Sequence, residues 1–189
     1  MWPFVRRNRL APVERLHDSI AALARDRDLF TKFGVADTFE GRFELLALHL
    51  ALVLRRLADL PAPAADMAQD LTDLAFRRLD QGLREIGIGD MGVPKRMKGL
   101  AKHFYGRAAA YHAALASGDA GKLVEALRRN VFDGGAGDAE GLATRVAAVE
   151  RRLSGLDLEN LLTGLDLKNL LTPGLSGPEA GGTAAGGPR

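Results

Sequence analysis

LREIGIGDMGVPKRMKGLAKHFYGRAAAY, residues 83–111, decides the fold. Leu83 and Ile86 close an apolar stripe that began at Leu71, Ala75 and Leu79, so a helix ends here. Gly87–Pro94 then packs three glycines and a proline into eight residues, which reads as a turn. From Pro94 the period is helical again. At 100° per residue Met97, Leu100, Phe104, Ala108, Tyr111 and Leu115 share a sector of about 80°. Lys95, Lys98, Gly99, Lys102, Gly106, Ala109 and Ala113 take the opposite side.

The same period runs outward in both directions, and no β-branched segment alternates with polar residues. A first helix is predicted over Pro12–Phe33, with Val13, Leu16, Ile20, Leu23 and Phe30 inward and Gly34 as its stop. A second starts at Asp37-Thr38, where Asp37 and Glu40 have the spacing of a capping box. It is apolar on nearly every side from Leu45 to Leu54, which places it at the centre of the domain. His49 within that run reads as a hydrogen-bonded core histidine. Pro61-Ala62-Pro63 breaks the chain before the third helix, Ala64–Ile86, made acidic by Asp66, Asp70, Asp73 and Asp80. The fourth runs from Pro94 to Ser117, the fifth over Ala120–Phe132 and the sixth over Asp138–Leu153, with Leu142, Val146, Val149 and Leu153 facing in. The fold class is therefore all-α: a single compact bundle of about six helices with a flexible C-terminal tail.

Four segments are expected: 1–11, basic and aromatic; 12–153, the helical domain; 154–172, a duplication; and 173–189, a Gly/Pro/Ala tail too poor in apolar bulk to order itself. In the duplication Gly155–Thr163 reads GLDLENLLT and Gly164–Thr172 reads GLDLKNLLT. Each copy holds a Leu-x-x-Leu-Leu unit able to present one apolar helical face to a groove, but the favoured reading is a recent duplication that packs loosely on the domain. Trp2-Pro3-Phe4 beside three arginines reads as a frayed terminus, with contact at a membrane surface as the alternative.

Composition excludes several classes. There is no cysteine, so thiolate metal sites, disulfides and Cys nucleophiles are ruled out. The net charge of +2 does not point to nucleic acid, and any basic partner surface must be local. The longest apolar run is about half the length needed to cross a bilayer. His103 and His112 point to opposite sides of the fourth helix, no His and carboxylate share a metal-site spacing, and no serine sits in a nucleophile elbow. No metal, no cofactor and no small-molecule substrate are expected, although His103, Tyr105 and His112 leave haem contact open.

The basic face of the fourth helix runs against local preference. Between Pro94 and Ser117 lie Lys95, Arg96, Lys98, Lys102 and Arg107 and no acidic residue. Three of these cations crowd the first turn, where each placement costs roughly 0.3–1 kcal/mol against the helix dipole. Gly99 and Gly106 inside the helix each cost roughly 1 kcal/mol relative to Ala. Two readings stand: the acidic third helix pairs with the lysines and packs on the small residues, or this face meets a partner.

The run Leu83–Lys98 resembles the signature of the ubiquinol–cytochrome c chaperone family. The continuation Phe104-Tyr105-Gly106-Arg107 with Tyr111 is also similar, as are Phe39-Glu40-Gly41-Arg42-Phe43-Glu44 and Arg128-Arg129-Asn130-Val131. The resemblance spans roughly Thr31 to Leu153. It implies an all-helical assembly factor for the cytochrome bc1 complex rather than an enzyme. Mitochondrial members bind newly made cytochrome b, act near the ribosomal tunnel exit and work with a small partner protein. The absence of their long N-terminal extension makes this chain look like a bacterial-type member, cytoplasmic and peripheral at the inner face of the membrane. The duplicated segment is not a family feature.

Expected partners are thus cytochrome b or another respiratory-complex client, with the ribosome or an anionic membrane surface as further contacts. The residues expected to meet them are Arg84, Glu85, Asp90, Lys95, Arg96, Lys98, Lys102, Phe104, Tyr105, Arg107 and Tyr111. The alternative is a peripheral membrane or nucleic-acid adaptor that uses the same basic face.

Overall fold

A computed structural model describes residues 3–85, 87 and 89–163, with side chains from Leu10 onward. Among the described residues there are eight helices and no strand: α1 Pro3–Ala24, α2 Arg27–Thr31, α3 Phe39–Ala58, α4 Ala64–Glu85, α5 Val93–Ser117, α6 Ala120–Asn130, α7 Ala139–Ser154 and α8 Leu158–Thr163. The all-α expectation holds. The expected tail and the second GLDLxNLLT copy lie outside the described residues.

α3 occupies the centre and packs against α1, α4, α5 and α7. Leu45, Leu48, Leu52 and Leu57 on it are fully buried; each contributes roughly 1.5–3 kcal/mol by leaving water. His49 is buried with them, and its Nδ1–H donates to the Leu45 carbonyl at 2.8 Å. Burial pushes its pKa down to about 4, so the ring is neutral at pH 7. α1 lies against α3 and α4, and α6 bridges α5 and α7.

Three local expectations change. The predicted helix Pro12–Phe33 begins at Pro3, carries Pro12 inside it and ends at Ala24. A short α2 follows because Asp26 caps it, accepting from Asp28 N–H at 2.9 Å. Burial alone would raise the Asp26 pKa, but hydrogen bonds from Arg145 and Asp28 hold it below the usual value. At the start of α3 the cap is Thr38 rather than Asp37: its hydroxyl accepts from Gly41 N–H at 3.1 Å, while Asp37 accepts from Arg42 Nε at 2.6 Å. The position three after Thr38 is Gly41, so no carboxylate completes a capping box. A Cβ on Gly41 would stand 2.0 Å from the Ala36 carbonyl oxygen, and this contact explains the glycine. α8, folded from the first repeat copy, was not among the predicted helices.

The remaining boundaries follow the punctuation of the sequence. Gly118, at φ 67°, ends α5, and Asp119 caps α6 through Gly121 N–H at 2.9 Å. Asp138 caps α7 through Gly141 N–H at 2.7 Å. Leu142, Val146, Val149 and Leu153 are all buried.

Candidate functional site

The N-terminal turns of α3 and α5 lie side by side and leave a groove of about 430 Å³ between them. Phe39, Phe43 and Leu100 supply its apolar surface. Glu40, Glu44, Lys95, Arg96, Gly99 and His103 complete its lining. A second groove of about 580 Å³, between α1, α3 and α4, adjoins it through the shared Phe39 and Phe43. His17 lines that second groove. It is buried with neither ring nitrogen hydrogen-bonded, 3.6 Å from the Asp18 carboxylate. Burial, and then the Arg78 charge, lower its pKa.

Two of the basic residues of α5 have partners on α3. Arg96 donates to Glu40 Oε1 at 2.6 Å and lies over the Phe39 ring, 5.3 Å from its centroid. The bond from its own backbone N–H, and then Arg96, hold the Glu40 carboxyl below its ordinary pKa. Arg107 Nε donates to both oxygens of the nearly buried Glu44, at 3.1 and 2.9 Å. The Glu44 hydrogen bond raises the Arg107 pKa. Lys95, Lys98 and Lys102 differ: they are exposed and form no ion pair with any described residue.

The acidic third-helix reading is thereby answered. Asp80 of α4 pairs with Arg84 of the same helix at 2.8 Å, and Arg84 also bonds Asp90 in the turn. Asp73 accepts from Gln69 at 2.8 Å. Nothing described lies within 4 Å of a Cβ placed on Gly99 or Gly106, so no described helix packs there. The glycines face open space, and their cost has no compensation among the described residues.

The expected contact residues divide into groups. Lys95 and Arg96 line the α3–α5 groove, while Lys98 and Lys102 continue the exposed basic stripe. Glu85 lines the adjoining groove and accepts from Gln81 at 2.9 Å. Arg84 and Asp90 brace the turn between α4 and α5. Phe104 and Tyr111 are interior. Phe104 meets Phe76 edge-on at 5.6 Å, and burial raises the Tyr111 hydroxyl pKa. Tyr105 is 60% exposed and stacks on Phe76 at 6.4 Å. It borders a hollow between α3 and α5 that also includes Leu54 and His112.

His112 Nδ1 accepts from Arg55 Nη1 at 2.9 Å, and Arg55 Nε also bonds Glu150 at 2.7 Å. That places His112 in a tie between α3, α5 and α7. No group of three His, Cys, Asp or Glu suited to a metal occurs among the described residues. Nor is any helix of the described residues long and apolar enough to cross a membrane.

Sequence reasoning missed Phe39, Phe43 and His17 as site residues. The pairs Phe39/Phe43 and Glu40/Glu44 are each four apart on one helix, which was a readable signal for a two-sided contact face. His17 had no such signal; it sits among the core residues of α1.

Residues 31–165 match the family described as ubiquinol-cytochrome C chaperone. Among solved structures, the crystal structure of the Cbp3 homolog from Brucella abortus is similar, with a TM-score of 0.75 and 40% identity. The match covers 85% of this chain and 91% of that one. No curated protein matches the chain.

Proposed function

Since the chain belongs to the ubiquinol-cytochrome C chaperone family, we propose that it is an assembly chaperone for the cytochrome bc1 complex that captures newly made cytochrome b, and that it works by binding, without catalysis. The observation that carries this reading is the α3–α5 groove, in which phenylalanine and leucine side chains adjoin lysines that pair with no described residue. An apolar client segment gains mainly by covering the half-buried Phe39, at roughly 25 cal/mol per Å² removed from water, because Phe43 and Leu100 at the groove floor are already buried. An acidic client loop gains from Lys95, Lys98 and Lys102, chiefly in encounter rate and orientation. Arg96 is already held by Glu40 and shapes the groove wall. The open strip over Gly99 and Gly106 lets a client backbone come close to α5.

Lys95→Glu with Lys98→Glu is expected to weaken client capture roughly tenfold in a salt-controlled pull-down, with an unchanged helical circular dichroism spectrum. Unchanged capture would remove the basic turn from the mechanism. Loss of the gene is expected to lower assembled bc1 content, and normal content would overturn the chaperone reading. Flotation of the protein with anionic liposomes in the absence of client, steeply salt-dependent, would favour a membrane adaptor instead.

A further inference from the structure

The first repeat copy is seated and capped. α8 packs on α1, Leu161 is fully buried, and Leu156, Leu158 and Leu162 lie partly buried against the core. Asp157 caps the short helix, accepting from Asn160 N–H at 2.8 Å. The Leu156 carbonyl accepts from Arg56 Nε and Nη2 at 2.8 and 2.6 Å. Every one of these residues recurs nine positions later: Leu165, Asp166, Leu167, Asn169, Leu170 and Leu171. The single difference is Glu159 against Lys168, and Glu159 is exposed, outside the seat.

We infer that the α8 seat is a docking site for a Leu-Asp-Leu-x-Asn-Leu-Leu peptide, and that residues 165–171 of the same chain are its alternative occupant. The seat reads only what the two copies share, so it cannot discriminate between them by contact. Linkage discriminates instead. The first copy continues directly from α7, through Gly155 N–H to the Arg152 carbonyl at 3.1 Å and Leu156 N–H to the Leu153 carbonyl at 3.0 Å. Seating the second copy loops out nine residues and adds closure entropy, which grows only slowly with loop length. The first copy therefore holds the seat while it is intact, and the second takes it when the first is lost or drawn away by a partner. A free copy is also held near the seat at high effective concentration, so exchange within one chain outcompetes docking from another.

The chain supplies its own reporters. Lys168 is the sole Lys or Arg between Arg152 and Arg189, and Glu159 is the sole Glu between Glu150 and Glu179. Trypsin therefore interrogates the second copy and a Glu-specific protease the first. With the full-length protein, Leu161→Asp is expected to slow tryptic cleavage at Lys168 roughly tenfold and to speed cleavage at Glu159, because cleavage tracks the undocked population. Adding Leu170→Asp restores fast cleavage at Lys168 and lowers the melting temperature further than Leu161→Asp alone. Leu170→Asp by itself leaves the melting temperature unchanged. Equal tryptic rates at Lys168 in the wild type and the Leu161→Asp variant would overturn the inference. So would a Leu161→Asp melting temperature as low as that of the double variant. If the protection at Lys168 disappears on dilution, the occupant is a second molecule and the intramolecular exchange is refuted.

Discussion

At the scale of single residues the interior holds a titration built into packing. His49 has a folded pKa of about 4 against an ordinary histidine value of 6.5, so the native state binds fewer protons than the unfolded chain between these values. Its contribution is complete above pH 6.5 and lost as pH falls towards 4, a change of about 3 kcal/mol in all. His17, lowered in the same direction, adds to the slope. Urea unfolding at pH 7 and pH 5 is expected to show a drop in stability that is smaller by about 2 kcal/mol in His49→Leu. An undiminished drop in the variant would place the titrating group elsewhere. His49 was legible as a core residue because its neighbours are apolar in sequence. His17 was not, because its burial comes from α3 and α4, which no local pattern announces.

At the scale of elements the helices were legible wherever a side chain punctuates them. Gly118-Asp119 and Asp138 could be read from sequence as breaks because the cap residue itself sets the boundary. The α1–α2 break was missed, since Asp26 lies inside a continuing apolar period and its role depends partly on Arg145 of α7 at 2.8 Å. The same reasoning governs the caps. Thr38→Ala is expected to cost about 1 kcal/mol in denaturant unfolding, while Asp37→Ala, which removes only an exposed pair, costs under about 0.5 kcal/mol. For α5, the oddity of the basic face was visible in the sequence, but the absence of a covering helix was not. Gly99→Ala meets no atom within 4 Å, so it is expected to raise stability by about 1 kcal/mol. It is also expected to weaken client capture, because a methyl group then stands in the groove. Raised stability with full capture would leave Gly99 without a part in binding.

At the scale of the whole molecule, ties of long sequence separation join the C-terminal helices to α3 and to the cap of α2. Arg55 reaches Glu150, Arg56 reaches the Leu156 carbonyl, and Arg145 reaches Asp26. Such ties have no local signature, which is why the bundle was readable as a class but not as an arrangement. The seat of α8 belongs to this scale. A chain ending at Ser154 uncovers the place of Leu161 and is expected to lose roughly 2 kcal/mol of stability. A chain ending at Thr163 is expected to melt like the full protein, and a clear loss there would mean that residues beyond 163 carry stability of their own. The central position of α3 also sets a clock. α3 is complete at Ala58, but α7, which covers part of it, is complete only at Ser154. At translation rates of ~5–20 residues per second, the most apolar helix of the protein waits on the order of ten seconds for its last cover. During its own synthesis the protein therefore passes through an interval in which it presents the same kind of bare apolar helix that it is proposed to shelter in others.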